Sequence, residues 1–161
     1  MNLGHVHSFR AAVLSALGLV FIALIGAIAH QPLLFPSLGP TIFVITLAPN
    51  EPTARFLNII IGHSIGILSA LITIPVIGLV LYQFPNSEMS TQLAYGLAAA
   101  LAVSLTVMLQ VKIRALHPPA AATTMLLVLG GVRAEWPAIM YVMGSIIFVA
   151  VYGELIRFLQ K

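Results

Sequence analysis

The sequence has no cysteine and no aspartate, and its acids are confined to Glu51, Glu88, Glu135 and Glu154. Without cysteine there are no disulfides and no thiolate chemistry. Charged residues fill 7% of the 161 positions, while 60% are hydrophobic and the mean hydropathy is +1.09. Soluble domains carry roughly 25% charged residues. So little charge cannot cover a water-facing surface, so this chain is built for lipid. A soluble enzyme, a nucleic-acid binder and a disulfide scaffold are excluded together. The formal charge of +3 and the pI near 9.7 do not reopen nucleic acid, because the few basic residues stand at the ends of apolar segments. No signal peptide is visible. The stretch 11–29 is long enough to span and lacks a convincing cleavage site, so it is expected to stay in the mature protein.

A spanning helix needs about 20 apolar residues. Four segments qualify: 11–29, 57–82, 92–110 and 138–157. Two shorter apolar stretches, 33–48 and 120–132, lie between them. Pro32, Pro36 and Pro40 break the first, and Pro118 and Pro119 open the second, since proline lacks an amide donor and restricts the residue before it. Charge placement bears on whether these two cross. With six crossings, Arg10, Arg55, Lys112, Arg114, Arg157 and Lys161 fall on the cytoplasmic side and Arg133 alone outside. With four, three basic residues lie inside and four outside. The positive-inside rule favours six, with both chain termini cytoplasmic.

The order long span, broken segment, long span occurs twice, in repeats at about 8–84 and 88–161 of a single membrane domain covering 1–161. A shift of 78 residues pairs Gly18 with Gly96, Pro40 with Pro118, Thr46 with Thr124, Arg55 with Arg133 and Gly66 with Gly144. Three crossings per half is an odd number, so the second half is expected to be inverted. The fold class is therefore all-α, with about six crossings in two inverted three-segment repeats, two segments being broken half-helices. Transporters use such repeats to build a site at the midplane.

Lipid offers a bare backbone no hydrogen bonds, so irregular chain at membrane depth must be buried in protein or line a polar cavity. The chain is expected to run extended to Gly39 and begin a half-helix at Pro40, and to do the same at Pro118 or Pro119. Each start should expose amide donors and about half a positive charge. Two starts facing each other make an anion site. Gly39, Ala120, Ala121 and Ala122 are small enough for close approach, and Ser37, Thr41, Thr123 and Thr124 add hydroxyls. Neither break contains an acid, which argues against a cation as substrate. His117 is suited to donating to an anion, to shuttling a proton or to capping a helix. His63, in the third span, is either a functional ionisable group or a structural hydrogen bonder. Arg114 either attracts anions at the cytoplasmic mouth or fixes orientation, whereas Lys112 reads as an orientation charge and His5, His7 and His30 as interfacial. Scattered histidines make neither a metal site nor a cofactor site expected. Gly62, Gly66 and Ala70, spaced four apart, read as close helix packing.

The run Leu116-His117-Pro118-Pro119-Ala120-Ala121-Ala122-Thr123, preceded by Arg114, resembles the signature that names the HPP family of integral membrane proteins. Ser37-Leu38-Gly39-Pro40-Thr41 and the block from Asn58 to Gly62-His63 resemble the family's other two motifs. Ala121 stands where the family usually has glycine, and Arg55 is offset from the arginine expected just before Asn58. Members from cyanobacteria and chloroplasts are associated with nitrite transport. The resemblance therefore implies a carrier or channel for a small inorganic monoanion such as nitrite, in a bacterial inner membrane.

The expected substrate-binding residues are Ser37, Gly39, Pro40, Thr41, His63, Arg114, His117, Pro118, Pro119, Ala120, Thr123 and Thr124. A homo-oligomer in the lipid bilayer is expected, because a protomer this small has little bulk to seal a pathway. Two competitors stay open: a scaffold subunit that transports nothing, and an intramembrane enzyme using His63 and His117.

Overall fold

The computed structural model describes residues 3–85 and 87–159, with side chains from Ser8 onward. Lys161, counted among the cytoplasmic charges, and the side chains of His5 and His7 lie outside the described residues. The described residues form helices α1 (Leu3–Ala29), α2 (Leu38–Leu47), α3 (Phe56–Thr73), α4 (Pro75–Gln83), α5 (Glu88–Lys112), α6 (Ala120–Val128) and α7 (Trp136–Leu159), with a short 3-10 turn at Pro52–Ala54 before α3 and no strand. Four stretches are long and apolar enough to cross a membrane: Ser8–Ala29, Phe56–Gln83, Glu88–Lys112 and Trp136–Leu159. The two expected breaks hold the short helices α2 and α6.

Three local features depart from the sequence reading. The first half-helix begins at Leu38 rather than Pro40. Pro40 is tolerated two residues into the helix because the amide it lacks has no intrahelical partner there. The third span is not continuous: α3 ends at Thr73 and α4 starts at Pro75, which removes one ladder bond and interferes with the preceding turn. Beyond that break α4 has no buried residue and packs on α5. Finally, α6 stops at Val128, where Gly130 turns left-handed (φ 74°) and the Gly131 N–H reaches back to Leu126 O at 2.9 Å. The same closure ends α1 and α5, with His30 (φ 52°) and Arg114 (φ 57°) in the left-handed position. At the other end of α5, Ser87 and Ser90 form a reciprocal cap.

Hydrogen bonds between helices fix their relative directions. Ser15 of α1 meets Thr46 of α2 at 2.9 Å, so residues 30–48 run back down α1 by about 20 Å from its C-terminal end. The Phe56 N–H at the start of α3 donates to Glu154 near the end of α7 at 3.0 Å, and Glu154 also pairs with Arg157. The Tyr152 hydroxyl donates to Leu14 O at 2.7 Å. Thus the N-terminal part of α1, the end of α2, the start of α3 and the end of α7 share one end of the molecule. At the opposite end, Gln31 and Pro32 line a cleft together with Gly131, Val132 and Tyr141.

The apolar core lies where α2, α3, α6 and α7 meet, around Leu38, Ile42, Ile45, Ile59, Val128, Val142, Ile146 and Val149, all essentially inaccessible. Outward faces carry exposed Leu17, Phe21, Leu24, Leu68, Leu97, Ile147 and Val151. An apolar exterior around a packed interior is the arrangement lipid solvation requires.

Candidate functional site

The site is built against α3. A Cβ on Gly62 would lie 2.7 Å from His117 Cβ, and one on Gly66 would lie 2.8 Å from Thr124 Oγ1 and 2.9 Å from Ala120 O. These two glycines, one turn apart, form a notch that admits the backbone of the second break. Gln110, in the last turn of α5, holds that segment from the other side. Its Oε1 accepts from the His117 N–H at 2.7 Å, while its Nε2 reaches Gly62 O at 3.5 Å. His117 is thereby fixed before Pro118 and Pro119 start α6.

Thr41, in the first turn of α2, closes the cluster. Its Oγ1 is hydrogen-bonded to His63 Nε2 at 3.0 Å and to His117 Nε2 at 3.2 Å. His63 Nδ1 meets Thr123 Oγ1 of α6 at 2.7 Å, and His117 Nδ1 meets Thr53 O in the 3-10 turn at 2.7 Å. The two imidazole rings lie 4.9 Å apart, inclined at 54°. Thr41, His63, His117 and Thr123 are completely buried. Every ring nitrogen has a partner, as a buried polar network requires if it is not to destabilise the fold. Beside it, Thr124 bonds to Thr106 of α5 at 3.0 Å. No carboxylate takes part in any of these contacts.

Ser37 stands one turn before Thr41. Its hydroxyl is buried and has no hydrogen-bond partner; Ser69 in α3 is the other such hydroxyl among the described residues. Ser37 and Ala122 line a cleft of about 320 Å³ between the start of α2 and α6, walled by Pro36, Met125, Leu126, Leu129 and Gly131. It extends from beside the cluster to Gly131.

Of the residues singled out by sequence, Thr41, His63, His117 and Thr123 come together, with Ser37, Pro119, Ala120 and Thr124 buried around them. Others do not join. Arg114 is exposed, outside the buried cluster, and its left-handed backbone ends α5. Pro40 and Pro118 are exposed. A Cβ added to Gly39 would meet nothing within 4 Å, so close approach there is not its role.

The expectation of bare amides at both starts is also corrected. Leu38 and Gly39 N–H are taken by Phe35 O and Pro36 O, and Ala120, Ala121 and Ala122 N–H by the carbonyls of His117, Pro118 and Pro119. An extra tight turn before each helix satisfies these donors internally. Polar contacts at the site therefore come from side chains. Sequence reasoning missed Gln110, Thr53 and Thr106. Gln110 was detectable as an amide inside an apolar span; Thr53 acts through its carbonyl and left no signal.

Residues 2–160 match the transmembrane region of the HPP family. The chain belongs to that family. A transmembrane protein of Dictyostelium discoideum is 32% identical over 108 residues, covering 67% of this chain and 34% of the relative. The chain thus spans about a third of that relative's length. No solved structure matches. The three stretches that resemble family motifs lie at α2, α3 and the start of α6, the elements that meet at Thr41, His63 and His117. The chain is an integral membrane protein of the HPP type.

Proposed function

We propose that this HPP protein carries a small monovalent anion across a bacterial inner membrane, nitrite being the first to test, by way of the cluster where its two broken segments meet. The observation that supports this is the cluster's composition: hydroxyls and imidazoles from α2, α3 and the approach to α6, deep in an apolar bundle, with no carboxylate. Polar side chains at membrane depth are costly and are kept for function. An anion needs N–H and O–H donors, and Ser37 has a hydroxyl uncommitted to any partner beside that cluster. An anion arriving through the Ser37 cleft would meet the uncommitted Ser37 hydroxyl and would gain further side-chain donors by displacing hydrogen bonds of the cluster, rather than by binding backbone amides.

The topology that goes with this has six crossings in two inverted halves, with both termini cytoplasmic. Its support is geometric. The chain passes from the end of α1 to the start of α3 beside Glu154, at the opposite end of the bundle. Thr46 and Thr124, related by the shift of 78, behave alike. Each returns its hydroxyl to the carbonyl four residues earlier, Ile42 at 2.8 Å and Ala120 at 3.2 Å. Each also meets a hydroxyl on the first span of its own half, Ser15 at 2.9 Å and Thr106 at 3.0 Å. In the same pattern, α2 packs against α1 and α7, and α6 against α5 and α3. A homo-oligomer completes the proposal.

The test is flux into proteoliposomes of purified protein across nitrite, nitrate, formate and chloride, beside a variant with Pro118 and Pro119 both changed to alanine. Selective monoanion flux that falls in the variant supports transport. Absence of flux for every anion would refute it. The fully satisfied hydrogen bonds of the cluster would then favour a second reading, a structural lock in a non-transporting subunit.

A further inference from the structure

Every donor and acceptor in the cluster follows from one fixed point. The Thr53 carbonyl, 2.7 Å from His117 Nδ1, can only accept, so Nδ1 carries the proton. In a neutral ring Nε2 then accepts, and its donor is the Thr41 hydroxyl at 3.2 Å. That commits the single proton of Thr41, so Thr41 Oγ1 must accept from His63 Nε2–H at 3.0 Å. His63 Nδ1 is left to accept from the Thr123 hydroxyl at 2.7 Å. The competing donation from Thr41 to Ser37 O is longer, at 3.4 Å. The result is a continuous chain, Thr123 to His63 to Thr41 to His117 to Thr53, in which every bond points the same way.

We infer that this chain is a proton relay, and that it makes proton movement part of anion transport; the coupling rests on the transport function proposed above, whereas the relay itself does not. Thr123 is completely buried, and its chain neighbour Ala122, not Thr123 itself, lines the Ser37 cleft. Entry therefore requires water or the conjugate acid of the anion to pass that wall and deliver a proton to Thr123 Oγ1. The hydroxyl proton of Thr123 moves to His63 Nδ1, the Nε2 proton of His63 to Thr41, and that of Thr41 to His117 Nε2. The Nδ1 proton of His117 leaves to water beside the half-buried Thr53. One proton enters and one leaves, and each O–H or N–H bond that breaks is replaced. Concerted passage leaves no standing charge on either imidazole, which matters where water screens poorly. After passage the bare Nδ1 of His117 faces a carbonyl oxygen, a repulsive contact that makes this state the less stable one. Before a second proton passes the same way, each ring must turn out of the network, release the proton on one nitrogen and take one up on the other. The Thr53 carbonyl thus sets the resting polarity, and the imposed gradient sets the net direction. No charged side chain among the described residues hydrogen-bonds to this chain. Glu51 and Arg55 flank Thr53, Lys112 and Arg114 precede His117, and all four are exposed; Glu154 and Arg157 of α7 pair with each other.

Two measurements test the relay. Imidazole 15N NMR of the membrane-embedded protein should find His117 protonated at Nδ1 and His63 at Nε2; a proton on Nδ1 of His63 overturns the assignment and with it the relay. Proteoliposomes with an internal pH dye and an anion assay should show nitrite and protons moving together. Thr41→Ser, which keeps the hydroxyl, should retain proton flux. Thr41→Val should lower it about a hundredfold, the low end for removing a positioned proton-transfer group. Equal proton flux in Thr41→Val and the unaltered protein overturns the relay, as does anion flux in the unaltered protein without protons, which leaves the transport proposal standing. Protons without any anion would overturn the transport proposal and leave the relay.

Discussion

Gly66→Ala tests whether the notch in α3 seats the second break. The added Cβ would stand 2.9 Å from Ala120 O and 2.8 Å from Thr124 Oγ1. An ordinary contact begins near 3.4 Å, so α6 must retreat by about 0.5 Å from a backbone oxygen that no rotamer change can move. That retreat stretches the 2.7 Å bond between Thr123 and His63 towards 3.2 Å, the long limit for a good hydrogen bond. Overpacking of this kind costs about 1–3 kcal/mol. Gly39→Ala is the matched control, because nothing lies within 4 Å of its added Cβ and the position is helical. Alanine there should be neutral or stabilising by about 0.5–1 kcal/mol. Both positions are helical, so the backbone gain cancels between them and the two variants should differ by about 1–3 kcal/mol, the overpacking term. Denaturant unfolding in one detergent, followed by the fluorescence of the single Trp136, measures it. Equal stability of the two glycine variants would refute the argument that steric contact at Gly66 positions α6.

The other predictions concern topology and two polar contacts. Single cysteines at Ser87 and Ala134, both exposed, should be labelled from outside and one at exposed Asn50 from inside; outside reactivity at position 50 refutes six crossings. Gln110→Leu leaves the buried His117 N–H without its 2.7 Å acceptor and should destabilise the protein by about 1–3 kcal/mol, measured by the same unfolding; no change would show that another group takes its place. Glu154→Ala removes the acceptor of the Phe56 N–H, acting as a cap supplied from another helix, and should cost about 0.5–2 kcal/mol, whereas Glu88→Ala at the exposed start of α5 should cost less.

The membrane class, the four long spans and the two interrupted segments were legible in the sequence because each depends on local composition. Apolar length and proline position act within a few turns of chain, and lipid enforces both. The three motifs also marked the elements of the site. Local chemistry was less reliable at the breaks. Pro40 was read as a helix start, but the helix begins at Leu38 because a preceding turn already supplies carbonyls to its first amides. Arg114 read as an anion-attracting charge near His117; the structure adds that it is exposed and ends α5 in a left-handed turn.

Tertiary structure decided which side chains meet. Thr41 and His117 are 76 residues apart, and His63 and Thr123 are 60 apart; no local preference relates either pair. Their contact depends on the glycine notch of α3 and on Gln110 reaching over from α5. The polarity of the hydrogen-bond chain rests on one carbonyl, Thr53 O, an atom present in every residue and so invisible to any reading of residue types. Sequence alone therefore determined the solvent, the helices and the breaks, through composition and proline placement. Whether the polar groups left in lipid would find partners, and in which order, was settled by helix packing, because burial forces each to hydrogen-bond whatever the fold brings within reach.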